Sequence, residues 1–230
     1  MRISWRGEAL NLAVVLFIAA VAAYGWMTLP DRVPVHWNVR GEIDRYGSKV
    51  ESLLFVPALA ASFYVLLLLL PRIDPGRANY ARFAGTYAFI RTVLLLVLAI
   101  VFVSVVLAGA GVAVDVPTVV GLTTGGTFVL FGSVLAKVRP NWFVGIRTPW
   151  TLSSARSWTR THRLGGWLFI AIGVVLAASI LARSPIAIAL GVAFSIAATT
   201  WLLVYSYLVW RDDPDKVPPA GVLPVDEPRP

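Results

Sequence analysis

The chain contains no cysteine, which removes disulfides, thiolate catalysis and cysteine-ligated zinc together and leaves the redox compartment unmarked. Charge is scarce as well. Only 14% of the residues are Asp, Glu, Lys or Arg, against about 25% in a soluble domain. Histidine occurs twice, as His36 and His162. Positions for polar chemistry are few, and both histidines fall in two polar, aromatic-rich loops, 29–49 and 141–166, where function is to be sought.

Apolar sequence fills the remainder, at 58% of the chain and a mean hydropathy of +0.76. Six windows carry no charged residue: Leu12–Leu29, Leu53–Leu70, Thr92–Val114, Val116–Ala136, Leu164–Ala182 and Ser184–Trp210. A helix of roughly 20 apolar residues crosses a hydrocarbon core of about 30 Å. No window shows the ten-residue alternation of an outer-membrane barrel, and backbone groups cannot go unpaired in lipid. These windows predict an all-α, polytopic membrane bundle of six transmembrane helices. Ala20-Val21-Ala22 has the small-x-small form of a signal cleavage site, but the apolar run continues through Trp26 to Leu29 and reads as a retained helix.

Basic residues set the expected orientation. With Arg91 assigned to the second loop, fifteen of the twenty Lys and Arg residues lie on the side that holds both termini. The positive-inside rule makes that side cytoplasmic and puts the His36 loop outside and the His162 loop inside. The net charge of +8 therefore sits beside membrane spans and anionic headgroups, and no direct nucleic-acid binding is read from it.

Local signals divide the chain. Asp115 followed by Pro117, and Ser184 followed by Pro185, each predict a cap and a first helical turn, so spans three and four and spans five and six should form tight hairpins. Gly121 and Gly125 in span four have the spacing for close helix approach, read here as packing inside one bundle rather than dimerisation. Residues 1–87 form the region of the first two spans, 88–210 that of the last four, and 211–230 a Pro-rich acidic tail expected to be disordered.

In the outer loop, Val33, Val35, Trp37 and Val39 alternate with polar Arg32, His36, Asn38 and Arg40. This predicts a short strand with Pro34 on its leading side and turns at Gly41 and Gly47. Four basic and four acidic residues, counting Glu51, predict internal ion pairing. In the inner loop, Pro149 pushes Thr148 toward extended backbone and Gly145 permits a turn, so Arg147 is held on a shaped loop. From Ser153 onward a capped, amphipathic cytoplasmic loop helix is expected, with Arg156, Arg160 and Arg163 on one face and Trp158, Thr161, His162 and Gly165 on the other. No metal-ligand spacing is present, and no metal or other cofactor is expected.

The outer-loop residues Pro30, Asp31, Pro34, His36, Trp37, Asn38, Gly41, Asp44, Gly47 and Lys49 resemble the signature of the DUF1648 region of bacterial membrane proteins. The inner-loop set of Asn141, Gly145, Arg147, Thr148, Pro149, Trp150, Trp158, Thr161 and His162 resembles the SdpI family motif. These nineteen residues are the candidate ligand- or partner-binding positions. The resemblance implies a multi-pass protein of the bacterial cytoplasmic membrane, not an enzyme. It also implies a role in immunity to a membrane-active peptide toxin, with signalling through a cytoplasmic repressor held at the membrane. Its expected partners are the lipid bilayer, such a toxin and such a repressor, and its oligomeric state stays open. Two other readings remain: a permease, which the charge-free windows disfavour, and an interfacial enzyme using His36 with Asp44 or His162 with Arg147.

Overall fold

A computed structural model describes residues 5–38 and 40–217. In chain order it contains α1 (Trp5–Thr28), β1 (Arg32–Trp37), β2 (Ile43–Ser48), α2 (Lys49–Ile73), α3 (Ala84–Gly109), α4 (Val116–Leu135), the short α5 (Pro149–Leu152), α6 (Ala155–Leu181) and α7 (Pro185–Arg211), with a 3-10 segment, Arg77–Phe83, leading into α3. Six helices are long and apolar enough to cross a membrane, as expected of a multi-pass membrane protein.

Helix starts follow the capping signals. Asp115 accepts the Thr118 amide at 3.2 Å and Ser184 accepts that of Ala187 at 3.4 Å, each beside a first-turn proline. Ser48 and Ser154 cap α2 and α6 in the same way. The expected hairpins α3–α4 and α6–α7 are therefore present.

The helices pack in two groups. α1, α2 and α3 share a core of Ile18, Leu53, Ala60, Leu95 and Phe102, on which Val33 of β1 rests. α4, α6 and α7 form the second group. Hydrophobic attraction between helices is absent in lipid, so contact depends on close van der Waals fit. A Cβ on Gly125 would stand 2.7 Å from the Gly173 carbonyl oxygen, and one on Gly132 would stand 2.6 Å from that of Gly166. Only glycine permits this antiparallel approach of α4 to α6, and the small-residue spacing serves packing within one chain. At one end, Tyr80, Phe83, Tyr87, Leu135, Val138 and Trp158 join the two groups. This is the loop end of the bundle; the opposite, hairpin end carries the paired strands β1 and β2.

Several expectations need correction. The loop at 29–49 holds two strands, not one: β1 pairs antiparallel with β2, with Val33 opposite Gly47 and Pro34 opposite Tyr46. Gly47 thus lies inside β2, where Glu51 and Val35 leave no room for a Cβ, and only Gly41, at φ +82, makes the turn. Register shifts after Pro34 and His36 break the simple alternation, and Val39 lies outside the described residues. Arg91 is not a loop residue but sits inside α3, fully buried beside Glu8 of α1. The arginine-faced segment is no separate interfacial helix. Its helix runs on through Gly165 and Gly166, which pack on α4 instead of breaking, to Leu181. At 1.5 Å per residue its 27 residues reach about 40 Å, so its first turns extend beyond a hydrocarbon core of about 30 Å. The start of the tail is ordered too: Val217 donates its amide to the Ser153 carbonyl at 3.0 Å. Residues 218–230 of the expected disordered tail lie outside the described residues.

Candidate functional site

At the loop end the motif residues build one hydrogen-bonded knot. Asn141 is buried. Its Nδ2 donates to the carbonyls of Arg139 and Val144 at 2.8 and 2.9 Å, while its Oδ1 accepts the amides of Phe143 and Val144. Gly145 then turns the chain at φ +110, with the His162 ring standing where its side chain would be. His162 Nε2 accepts the Ile146 amide at 3.1 Å, and Nδ1 donates to the Trp158 carbonyl at 2.8 Å. An amide can only donate and a carbonyl only accept, so these partners fix the neutral Nδ1–H tautomer. Trp158 stacks on this ring at 4.1 Å and donates its indole N–H to the Val138 carbonyl.

Thr148, extended as its place before Pro149 requires, caps α5 in a reciprocal capping box with Thr151 and meets Ser206 of α7 at 3.1 Å. Trp150 packs edge-on against Tyr207. Thr161 is buried, and its hydroxyl has no partner among the described residues. Of this set only Arg147 and Pro149 are openly exposed, and the Arg147 guanidinium is tied to the Trp142 carbonyl at 2.6 Å. Arg147 and His162 are thus not brought together as an acid–base pair.

Three further groups were not foreseen. Asp74, fully buried at the end of α2, accepts from Tyr80 Oη at 2.8 Å, from the Gly76 amide at 2.5 Å and from the Trp142 amide at 3.1 Å. It ties the loop after α2 to the motif loop across 68 positions, a separation at which no local pattern signals contact. Glu8 and Arg91 form a buried ion pair, extended by Asn11 and Thr92. Asp213 hydrogen-bonds to Ser154, and this bond holds its carboxyl below the usual carboxylate range.

At the hairpin end the candidate residues are more open. His36 and Asp44 lie 2.6 Å apart on neighbouring strands, and both are exposed. Arg45 pairs with Glu51 at 2.7 Å, and Lys49 lies 3.8 Å from Asp31, so the predicted internal ion pairing is present. Lys49 also donates to the Trp26 carbonyl at 3.1 Å, closing the C-terminal end of α1. Asn38 builds the turn: its Oδ1 accepts the amides of Arg40 and Glu42, and its Nδ2 donates to the Glu42 carboxylate. Pro30 is exposed, Trp37 half-buried and Pro34 buried.

The hairpin tip stands over the heads of α4 and α7. Beneath it lies a cavity of about 700 Å³, with Arg40, Asp115 and Arg183 among its polar lining and Pro117, Ile180, Pro185 and Ile188 among its apolar lining. A second, almost wholly apolar groove of about 590 Å³ runs between α1 and α4 over α3, lined by Phe17, Leu96, Ile100 and Val119 among others. No group of three or more potential metal ligands occurs among the described residues.

Residues 137–210 match the SdpI/YfhL protein family, and residues 13–61 match the Domain of unknown function DUF1648. Over 161 residues the chain is 22% identical to the protein named Immunity protein SdpI of Bacillus subtilis (strain 168), spanning 70% of this chain and 74% of that one. No solved structure matches the chain significantly. The resemblance carried by the two loops is thereby supported on both sides. The family match begins at the knotted loop and runs to the end of α7.

Proposed function

We propose that this chain is an immunity protein of the SdpI type, which captures a membrane-active peptide at the hairpin end and communicates occupancy to the loop end. The similarity to a protein named as an immunity protein, over most of both chains, carries the reading. The geometry supports the division of labour. The motif residues at the loop end are spent on one another's hydrogen bonds, whereas the hairpin end offers exposed polar groups beside a cavity.

In this reading the basic excess places the loop end in the cytoplasm of a bacterial cell, with the hairpin outside the inner membrane. Arg156, Arg160 and Arg163, exposed on the first turns of α6, then face headgroups or an acidic cytoplasmic partner such as a repressor. Because the chain has no cysteine, single cysteines at positions 40 and 160 report the orientation directly. An impermeant maleimide should label the first in intact cells and the second only after lysis.

Expression in a strain sensitive to a membrane-active peptide should confer protection. His36→Ala and Trp37→Ala should reduce it at unchanged protein level, and undiminished protection in both would remove the hairpin from the capture site. The bond between His36 and Asp44 is the one observation favouring an enzyme instead, as an acid–base pair. Cleavage of the toxin by purified protein, lost in His36→Gln, would establish that second reading.

A further inference from the structure

We propose that the cavity under the hairpin tip binds the carboxylate end of an apolar peptide, with the guanidiniums of Arg40 and Arg183 holding the carboxylate. The inference rests on the peptide-capture reading above and assigns its site and ligand chemistry. The volume, about 700 Å³, lies within the range of about 300–1,000 Å³ in which small-ligand sites fall. It accommodates a few side chains, not a whole helix. Pro117, Ile180, Pro185, Ile188 and Ala189 give it apolar walls, and the charge is concentrated in Arg40, Asp115 and Arg183.

The donors open to a ligand are the arginines. At the heads of α4 and α7 the amides of Val116, Thr118 and Ala187 are already taken by the Val114 carbonyl, Asp115 and Ser184, and the charged donors that remain are the two guanidiniums. Arg183 commits Nη2 to Asp115 at 3.3 Å. Arg40 makes no guanidinium hydrogen bond among the described residues, its Nε standing 3.9 Å from Glu42. Two planar forks with free N–H groups suit a carboxylate, which accepts such pairs two at a time.

Arg183 also holds an unusual backbone position. Its φ is +51, the only positive φ among the described non-glycine residues, at the place after a helix where glycine is the usual occupant. The left-handed conformation is unfavourable for a side-chain-bearing residue, and such outliers concentrate at ligand clamps. Asp115 sets the limit on what enters. Hydrogen bonds from the Thr118 hydroxyl and amide keep its carboxyl below the usual range, so it stays anionic beside Arg183. It leaves room for one negative end at the mouth and disfavours a multiply charged ligand.

The test uses the full chain in nanodiscs of phosphatidylcholine and an acetylated apolar pentapeptide, prepared as the free acid and as the C-terminal amide. The acid should bind about tenfold more tightly or better, the scale of a charge-assisted hydrogen bond. Arg40→Gln and Arg183→Gly should each erase that preference. Glycine suits the Arg183 backbone, so the second variant should keep its thermal midpoint, separating lost binding from lost folding. Equal binding of acid and amide, or a preference that survives both substitutions, overturns the proposal. So does competition by phosphatidylglycerol, which would make a headgroup phosphate the occupant. An acid preference without cellular protection leaves the site standing and sinks the immunity reading; protection without an acid preference does the reverse.

Discussion

The Nε2 of His162 accepts the amide hydrogen of Ile146 at 3.1 Å, joining the first turns of α6 to a loop sixteen positions earlier. The ring is buried, stacked on Trp158 and packed against Gly145, and both its nitrogens are committed. The two histidines that sequence alone marks as candidates for chemistry therefore have different standing. His36 is exposed on the hairpin beside Asp44, and His162 is a structural post.

His162→Ala removes the acceptor for a part-buried amide and leaves a gap beside Trp158. The expected loss is about 2–4 kcal/mol, read as a lower unfolding midpoint in detergent. Gly145→Ala should cost about 1–3 kcal/mol through its positive φ and the collision with the imidazole. Nitrogen chemical shifts should report His162 as the Nδ1–H tautomer. An imidazolium there, or an Nε2–H form, would contradict the assignment.

The α4–α6 contact predicts a sharp contrast between neighbouring glycines. Gly125→Ala drives a methyl into the Gly173 carbonyl and should destabilise the bundle by about 1–3 kcal/mol. Gly126→Ala meets nothing within 4 Å and should be neutral or stabilising by up to about 1 kcal/mol. Similar midpoints for the two variants would mean that the helices do not cross at this point.

Glu8→Ala strands the Arg91 guanidinium in the helix interior without its counter-ion. Removing one partner of a buried pair costs about 3–5 kcal/mol. Replacing both by leucine should recover much of the loss, since in lipid-embedded helices apolar contact carries no desolvation cost. A double variant no better than the single one would show that the pair is held for more than charge balance.

Acid should detach the start of the tail. Asp213 is held below the usual carboxylate range, first by the Ser154 hydroxyl, so the folded state favours its anion. Its contribution to docking is complete above the ordinary carboxylate value of about 4 and is lost as pH falls through the lowered folded value. Exchange of the Val217 amide, which docks on the Ser153 carbonyl, should accelerate only below that ordinary value. In Asp213→Asn this acid dependence should vanish, and a wild-type amide whose protection is independent of pH would refute the link.

The spans, their hairpins and their caps were legible because each rests on a local property: twenty apolar residues, an Asp or Ser before a proline, a glycine permitting a turn. Positions 153–166 were legible in part. The faces of Arg156 and His162 follow from helical periodicity, but whether that helix stops before the membrane depends on what Gly165 and Gly166 touch, and Gly166 touches Gly132, 34 positions away. The strand partner of Val33 was hidden because Asp44, Arg45 and Tyr46 of β2 face solvent and show no apolar alternation.

The sequence by itself determined that this chain lives in a membrane, how many times it is able to cross, and which two loops carry its polar character. Those properties are sums over neighbouring residues. Tertiary structure alone decided that Arg91 is buried against Glu8, that Asp74 anchors the motif loop, and that Arg40 and Arg183 line one cavity. Each of these joins groups tens of residues apart, and only the packing of helices against one another brings them within reach.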